Sequence, residues 1–188
     1  MIMDAQVKSR ATKQMMYVAI ISMIMMFAGL TSAYVISSKR EDWVTFGLPQ
    51  GLYISSILIM LSSVSYYLAK KNIHKNNRAL TTIFLILTLV LAVGFVAFQV
   101  KGFNQLREVG LYFTGEGSVV SSSMLVVISF AHLLHVAAGL IVLLVVLINH
   151  LRHKYKPNDA LGLEVGGIFW HFVDVLWIFL FLFFYFIT

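Results

Sequence analysis

The chain has 188 residues, 60% of them hydrophobic and 12% charged, with a mean hydropathy of +0.87. A water-soluble domain of this length has too little interior to hide so much apolar surface, so the composition is that of an integral membrane protein. The sequence contains no cysteine, which excludes disulfides, Cys-ligated zinc, iron–sulfur clusters and Cys-linked haem. The formal charge of +6 lies in short basic tracts beside apolar runs. That pattern orients a membrane protein and gives no reason to expect a nucleic-acid partner.

Five apolar segments follow one another, at about 15–37, 50–69, 80–100, 120–149 and 163–187. Each reaches the roughly 20 residues that a membrane-spanning helix needs. None alternates polar and apolar residues as a barrel strand does. The expected architecture is all-α: one membrane domain over residues 1–188, a bundle of five transmembrane helices. The first segment is too long for the apolar part of a signal peptide and lacks a clear small-residue cleavage site, so it is expected to be retained. Trp43, just past this segment, stands where an interfacial anchor belongs. The "MIMM" run at 23–26 is contiguous and lacks the helical spacing of a ligand face, which suits lipid contact or packing. The connection at about 101–119 is the longest and has room for a short interfacial helix. Three histidines, His74, His150 and His153, fall in basic loops and are expected to be solvated. Gly162 and Gly166 form a G-x-x-x-G at the start of the last segment, a weak packing signal.

Lys and Arg set the orientation. Ten of them (Lys8, Arg10, Lys13, Lys70, Lys71, Lys75, Arg78, Arg152, Lys154 and Lys156) fall on the N-terminal side, and four (Lys39, Arg40, Lys101 and Arg107) on the other. This split predicts a cytoplasmic N-terminus and an external C-terminus.

Polar side chains inside such helices are costly, so their positions carry information. His132 and His135 are spaced i, i+3 on one face of the fourth helix, and His171 and Asp174 likewise on the fifth. Glu164 precedes His171 by about two turns. Antiparallel packing of these helices would bring His135 and Asp174 to similar depth, where the two faces could meet. Three readings of the set are open: polar ties that fix helix register, a haem or di-metal site, and a proton or ion relay.

Two stretches resemble a known family. "FAHLLHVAAGL", residues 130–140, is similar to a segment of subunit III of the haem–copper cytochrome c oxidases through His132, His135, Val136 and Gly139. "EVGGIFWHFVDVLWIFLF", residues 164–181, resembles the signature of the same family through Glu164, Trp170, His171, Phe172, Val173, Asp174, Trp177 and Leu180. Gln99 matches a family glutamine, and "MMFAGLTSAY" in the first helix matches loosely. There are departures. Met23 follows Ser22 where the family carries a membrane glutamate linked to proton uptake, so that role is not carried over. Gly102 stands where a glutamate usually follows the glutamine. Five helices replace the seven of the long form, leaving out the two-helix arm that helps form a lipid-holding cleft.

The resemblance implies a non-catalytic subunit of a proton-pumping terminal oxidase that passes electrons from cytochrome c to oxygen. The chain would hold no cofactor or metal of its own, with the haems and copper in partner subunits. It would pack on subunit I and support its proton uptake, with subunits II and IV, bound phospholipid and a larger respiratory supercomplex as further expected associations. His132, His135, Glu164, His171, Asp174, Trp170, Trp177 and Gln99 would then be internal polar ties or lipid contacts. The short form and the lack of a targeting sequence point to a bacterial inner membrane. The alternatives are a stand-alone membrane haem or di-metal redox protein built on the fourth and fifth helices, and subunit III of a quinol oxidase.

Overall fold

A computed structural model describes residues 2–111, 119–155 and 160–187. It contains α1 (Ile2–Ser37), α2 (Gln50–His74), α3 (Arg78–Glu108), α4 (Val120–Leu151) and α5 (Leu161–Ile187), with no strand among the described residues. All five helices are long and apolar enough to cross a membrane. The all-helical membrane architecture expected from the sequence is thus observed. In lipid only a helix satisfies every backbone N–H and C=O within its own segment, which is why long apolar runs take this form. The part of the 101–119 connection at 112–118, where an interfacial helix was considered, lies outside the described residues, as does Lys156.

The helices outrun the apolar segments because polar turns continue them at their ends, α1 most of all. Pro49 sets an extended backbone immediately before α2. The α2–α3 turn reverses at Asn76, whose φ of 58° is tolerated by asparagine. Asn77 then caps α3, its side-chain oxygen accepting from the Leu80 N–H at 3.2 Å.

α2 and α3 form the closest pair in the bundle. α5 packs against α1, α2 and α4, and α4 against α1, α3 and α5. The α2–α3 approach depends on small residues: Gly51, Ser55, Ser62, Ser65 and Ala69 on α2 and Thr81, Thr88, Ala92 and Gly102 on α3 are all buried. One core cluster gathers Ile59, Tyr66, Phe95, Val136, Trp170 and Trp177. A second, around Phe27, Tyr34, Ile128, Leu180 and Phe184, fastens α1 to α4 and α5.

The outer surface is strongly apolar. Met25 and Met26 are exposed, while Met23 packs against the core, as suits lipid contact and packing. In the run 179–186, Leu180 and Phe184 face inward and Phe179, Leu182, Tyr185 and Phe186 outward. Trp43 lies edge-on to Tyr34 at 4.9 Å between ring centres.

Candidate functional site

The histidines and acids singled out on α4 and α5 do not gather at one point; they turn to different neighbours. His132 is fully buried, with the Trp177 ring 5.1 Å away, Phe95 at 6.1 Å and Phe27 at 6.3 Å. Its two nitrogens have no hydrogen-bond partner among the described residues. His135 donates from Nδ1 back to the Ala131 carbonyl of its own helix at 2.7 Å, and its ring lies 5.6 Å from Phe27. His171 turns to α2: its Nδ1 shares a 2.7 Å hydrogen bond with the Ser63 hydroxyl, and the Tyr66 ring stands 5.7 Å away. Asp174 is buried, and neither carboxyl oxygen has a partner among the described residues. Glu164 pairs with Lys13 of α1 at 2.6 Å. The imagined meeting of the α4 and α5 polar faces is therefore replaced by α5 reading α2, with α4 presenting its histidines to aromatic rings.

The sequence reading passed over the partner that makes this work, "SSILIMLSSVSY" at 55–66 of α2. The Trp177 indole N–H donates to Ser56 Oγ at 2.9 Å, and the Trp170 N–H to Ser62 Oγ at 2.9 Å. Gln99 Nε2 donates to Ser55 Oγ at 3.1 Å, and the Tyr66 hydroxyl to the Leu163 carbonyl at 3.0 Å. Trp170 and Trp177 lie seven residues apart, two helical turns, so they fall on one stripe of α5. The antiparallel α2 offers hydroxyls six residues apart, a little under two turns, to meet them. A buried indole needs a partner for its N–H, and serine supplies one without widening the helix contact.

The two family-like stretches also meet directly. A Cβ built on Gly139 would stand 3.0 Å from the Trp170 ring, so the glycine of "FAHLLHVAAGL" makes room for the tryptophan of "FWHFVD". Gly166 faces Tyr66, Val146 and Val142, and Gly162 faces the Tyr155 hydroxyl, so both glycines of the G-x-x-x-G sit at packing contacts. Gln105, another unflagged residue, accepts the Gly51 N–H at 3.0 Å and so satisfies a first-turn donor of α2.

His150, expected in solvent, is instead buried at the end of α4, its Nε2 3.1 Å from the Thr82 hydroxyl. The reason lies in its contact with Arg78 and Thr82 of α3. Arg78 at the start of α3 donates to His153 Nδ1 at 2.6 Å and to the Tyr155 carbonyl at 2.8 Å, folding that segment over the α3 end. Burial there pushes the Tyr155 phenol above its ordinary range. His74 and His153 are exposed. At the opposite end of the bundle Arg40 donates to both carboxylate oxygens of Asp42, at 2.8 and 3.0 Å, and holds that carboxyl below the usual range.

The Lys13–Glu164 pair is about one-third exposed on each side chain (35% and 27%). Lys13→Ala is expected to lower stability by less than about 1 kcal/mol, since solvent screens such a pair. Thermal unfolding in detergent, followed by tryptophan fluorescence, checks this. A loss comparable to that of a core truncation would show that the pair anchors α1.

Among the described residues no three His, Cys, Asp or Glu side chains gather closely enough to hold a metal ion. The polar set works chemically as separate contacts between particular helix pairs, α5 to α2, α5 to α1 and α3 to α2.

Comparison with known proteins agrees with the two motifs. The family model described as cytochrome c oxidase subunit III matches residues 4–188. Cytochrome c oxidase subunit 3 of Corynebacterium diphtheriae is 33% identical over 172 residues, 87% of this chain and 82% of that protein. The same subunit of Alkalihalophilus pseudofirmus is 30% identical over 155 residues, 82% of this chain and 73% of that one. That of Spodoptera frugiperda is 33% identical over 129 residues, 69% of this chain and 84% of that one. Some animal relatives are longer, and the match spans 47% of their length. The family profile along nearly the whole chain, the five spanning helices and the meeting of the two motifs at Gly139 and Trp170 lead to one conclusion: the chain belongs to the cytochrome c oxidase subunit III family of the haem–copper oxidases.

Proposed function

We propose that the chain is the non-catalytic third subunit of a proton-pumping cytochrome c oxidase in a bacterial cytoplasmic membrane, with its N-terminus inside and its C-terminus outside. It packs on subunit I, supports that subunit's proton uptake by burying its flank, and holds phospholipid. The haems and copper belong to partner subunits. The observation that carries this reading is the divergence of the polar residues. Glu164 turns to α1, His171 to α2, His135 to its own helix and Phe27, and His132 to aromatic rings, while Asp174 has no partner among the described residues, an arrangement suited to fixing helix register and not to ligating a cofactor or relaying protons in a line. The apolar exterior suits a subunit surrounded by lipid and other membrane chains.

Two measurements test the reading. Purification through a tag on this chain should bring down a complex with haem and copper absorbance, and that colour should stay behind when the subunit is stripped away. Colour travelling with the isolated chain would sink the proposal. His171→Ala removes the bond to Ser63, which contributes about 1 kcal/mol. It and Asp174→Ala are expected to lower the yield of assembled complex while turnover per assembled complex stays unchanged. Normal assembly with an immediate drop in turnover would overturn the structural role given to these residues.

A further inference from the structure

A groove of about 530 Å³ lies between the last turns of α3 and the first half of α4. Its floor is apolar, built from Val100, Phe103, Leu106, Val127, Phe130 and Leu134. Asn104 and Arg107 also line it. Arg107 is one residue from the end of α3, and Val126 lies in the first two turns of α4, so the polar mouth is at the end of the bundle that the charge distribution assigns to the outside. From Arg107 the floor runs inward to Val100, and from Val126 to Leu134. At 1.5 Å per residue this is a depth of roughly 10–12 Å. That compares with about 15 Å for the acyl region of one leaflet.

Among the described residues the charge at the mouth is uncommitted. Of the four cations at this end, Lys39, Arg40 and Lys101 do not line the groove, Arg40 being held by Asp42 and Lys101 standing 5.9 Å from the Phe98 ring centre. The Arg107 side chain is exposed and makes no hydrogen bond or ion pair among the described residues. A guanidinium at the head of an apolar channel matches a phosphodiester at the head of an acyl chain, because its planar fork binds phosphate oxygens in pairs. Near a helix end, a long cationic side chain can lay its stem along apolar surface and keep its head at the interface. A helix of a neighbouring subunit could fill the apolar floor, but it would have no use for a free cation at the mouth.

We propose that this α3–α4 groove binds a phospholipid of the outer leaflet, an acyl chain along its floor and the phosphate on Arg107. The site deepens the lipid-holding part of the proposed function. It stands on this chain alone and needs no two-helix arm.

The full chain, purified through a tag with whatever it assembles with, is partly delipidated. It is reloaded with phosphatidylglycerol carrying a photoactivatable group in its acyl chain. Peptides carrying the label are then mapped. Label is expected on segments 100–111 and 126–134, and uncharged diacylglycerol of the same chains should compete poorly. Arg107→Gln should reduce labelling about tenfold, the loss expected for one charge-assisted hydrogen bond. Arg107→Lys should retain part of it, and Lys101→Gln all of it. Unchanged melting of each variant shows that the bundle is intact. Label elsewhere, equal labelling of Arg107→Gln, equal competition by diacylglycerol, or cross-links from the groove to another protein chain would each overturn the proposal. Haem absorbance of the same preparation reports on the oxidase reading separately. A labelled groove in a colourless preparation would reject that reading and keep this one.

Discussion

Gly51→Ala is expected to destabilise the bundle by about 1–3 kcal/mol, the usual cost of forcing extra volume into a packed contact. Gly51→Leu is expected to separate α2 from α3 altogether. A Cβ on Gly51 would stand 2.7 Å from both the Gly102 nitrogen and the Phe98 carbonyl oxygen, and 2.8 Å from the Gly102 Cα. All three are backbone atoms of α3, so no rotamer change relieves the collision, and the two helices must move apart. That movement would break the Gly51–Gln105 bond and stretch the Gln99–Ser55 bond farther along the interface. Gly29→Ala is the matched control. Nothing lies within 4 Å of its added methyl. Alanine also favours helix over glycine by up to about 1 kcal/mol. Unfolding midpoints of the two variants in one detergent should therefore move in opposite directions. Similar midpoints for Gly51→Ala and the unsubstituted chain would mean that α2 and α3 do not approach this closely.

Trp177→Ala should be the most damaging single truncation in the bundle, at about 3–5 kcal/mol. The Trp177 side chain is completely buried, its ring is flanked by His132 and Phe95, and its N–H is bonded to Ser56. Removing it empties the junction of α2, α3, α4 and α5. Trp177→Phe keeps most of the ring and drops the hydrogen bond, and is expected to cost about 1–2 kcal/mol. Ser56→Ala leaves the indole N–H unpaired and should cost a similar amount. Combining Trp177→Phe with Ser56→Ala measures the tie itself. A coupling of about 0.6 kcal/mol, in the range of hydrogen bonds between membrane helices, is expected. Additive losses would show that the indole and the hydroxyl do not interact, leaving packing alone to hold α5 on α2.

The five spans could be read from hydropathy because a lipid-exposed helix must be apolar over its whole length, and little else in the fold modifies that requirement. The candidate residues on α4 and α5 stood out for a related reason: His and Asp are rare in such segments. Their partners were hidden. A serine in a membrane helix is only mildly polar, and Ser55 and Ser56 look locally satisfied, so no single position signals a contact. The available signal was spacing, the seven residues from Trp170 to Trp177 set against the six from Ser56 to Ser62 on a helix of opposite direction. His150 was misjudged because its ring packs on Arg78 and Thr82 at the start of α3, a tertiary contact that hydropathy at the helix end does not encode. Gly51 and Gly102 lie on the two arms of a helical hairpin, far from the turn that joins them, and their face-to-face approach depends on a register that neither helix specifies alone.

The Ser56 hydroxyl donates to the Leu52 carbonyl of its own helix at 2.8 Å while accepting from Trp177, and Ser55 likewise donates to Leu52 at 2.9 Å while accepting from Gln99. Each proton is thus committed within α2, and only the oxygen lone pairs reach across. At these two positions a newly inserted α2 carries no stranded donor to delay it or attract a wrong neighbour. The Ser55 and Ser56 oxygens then wait as acceptors for the amide of α3 and, later from the ribosome, the indole of α5. At Ser55 and Ser56 the earlier helix brings acceptors that tolerate delay and the later helices bring the donors, whereas Ser65 and Tyr66 run the other way and donate to the Phe84 and Leu163 carbonyls.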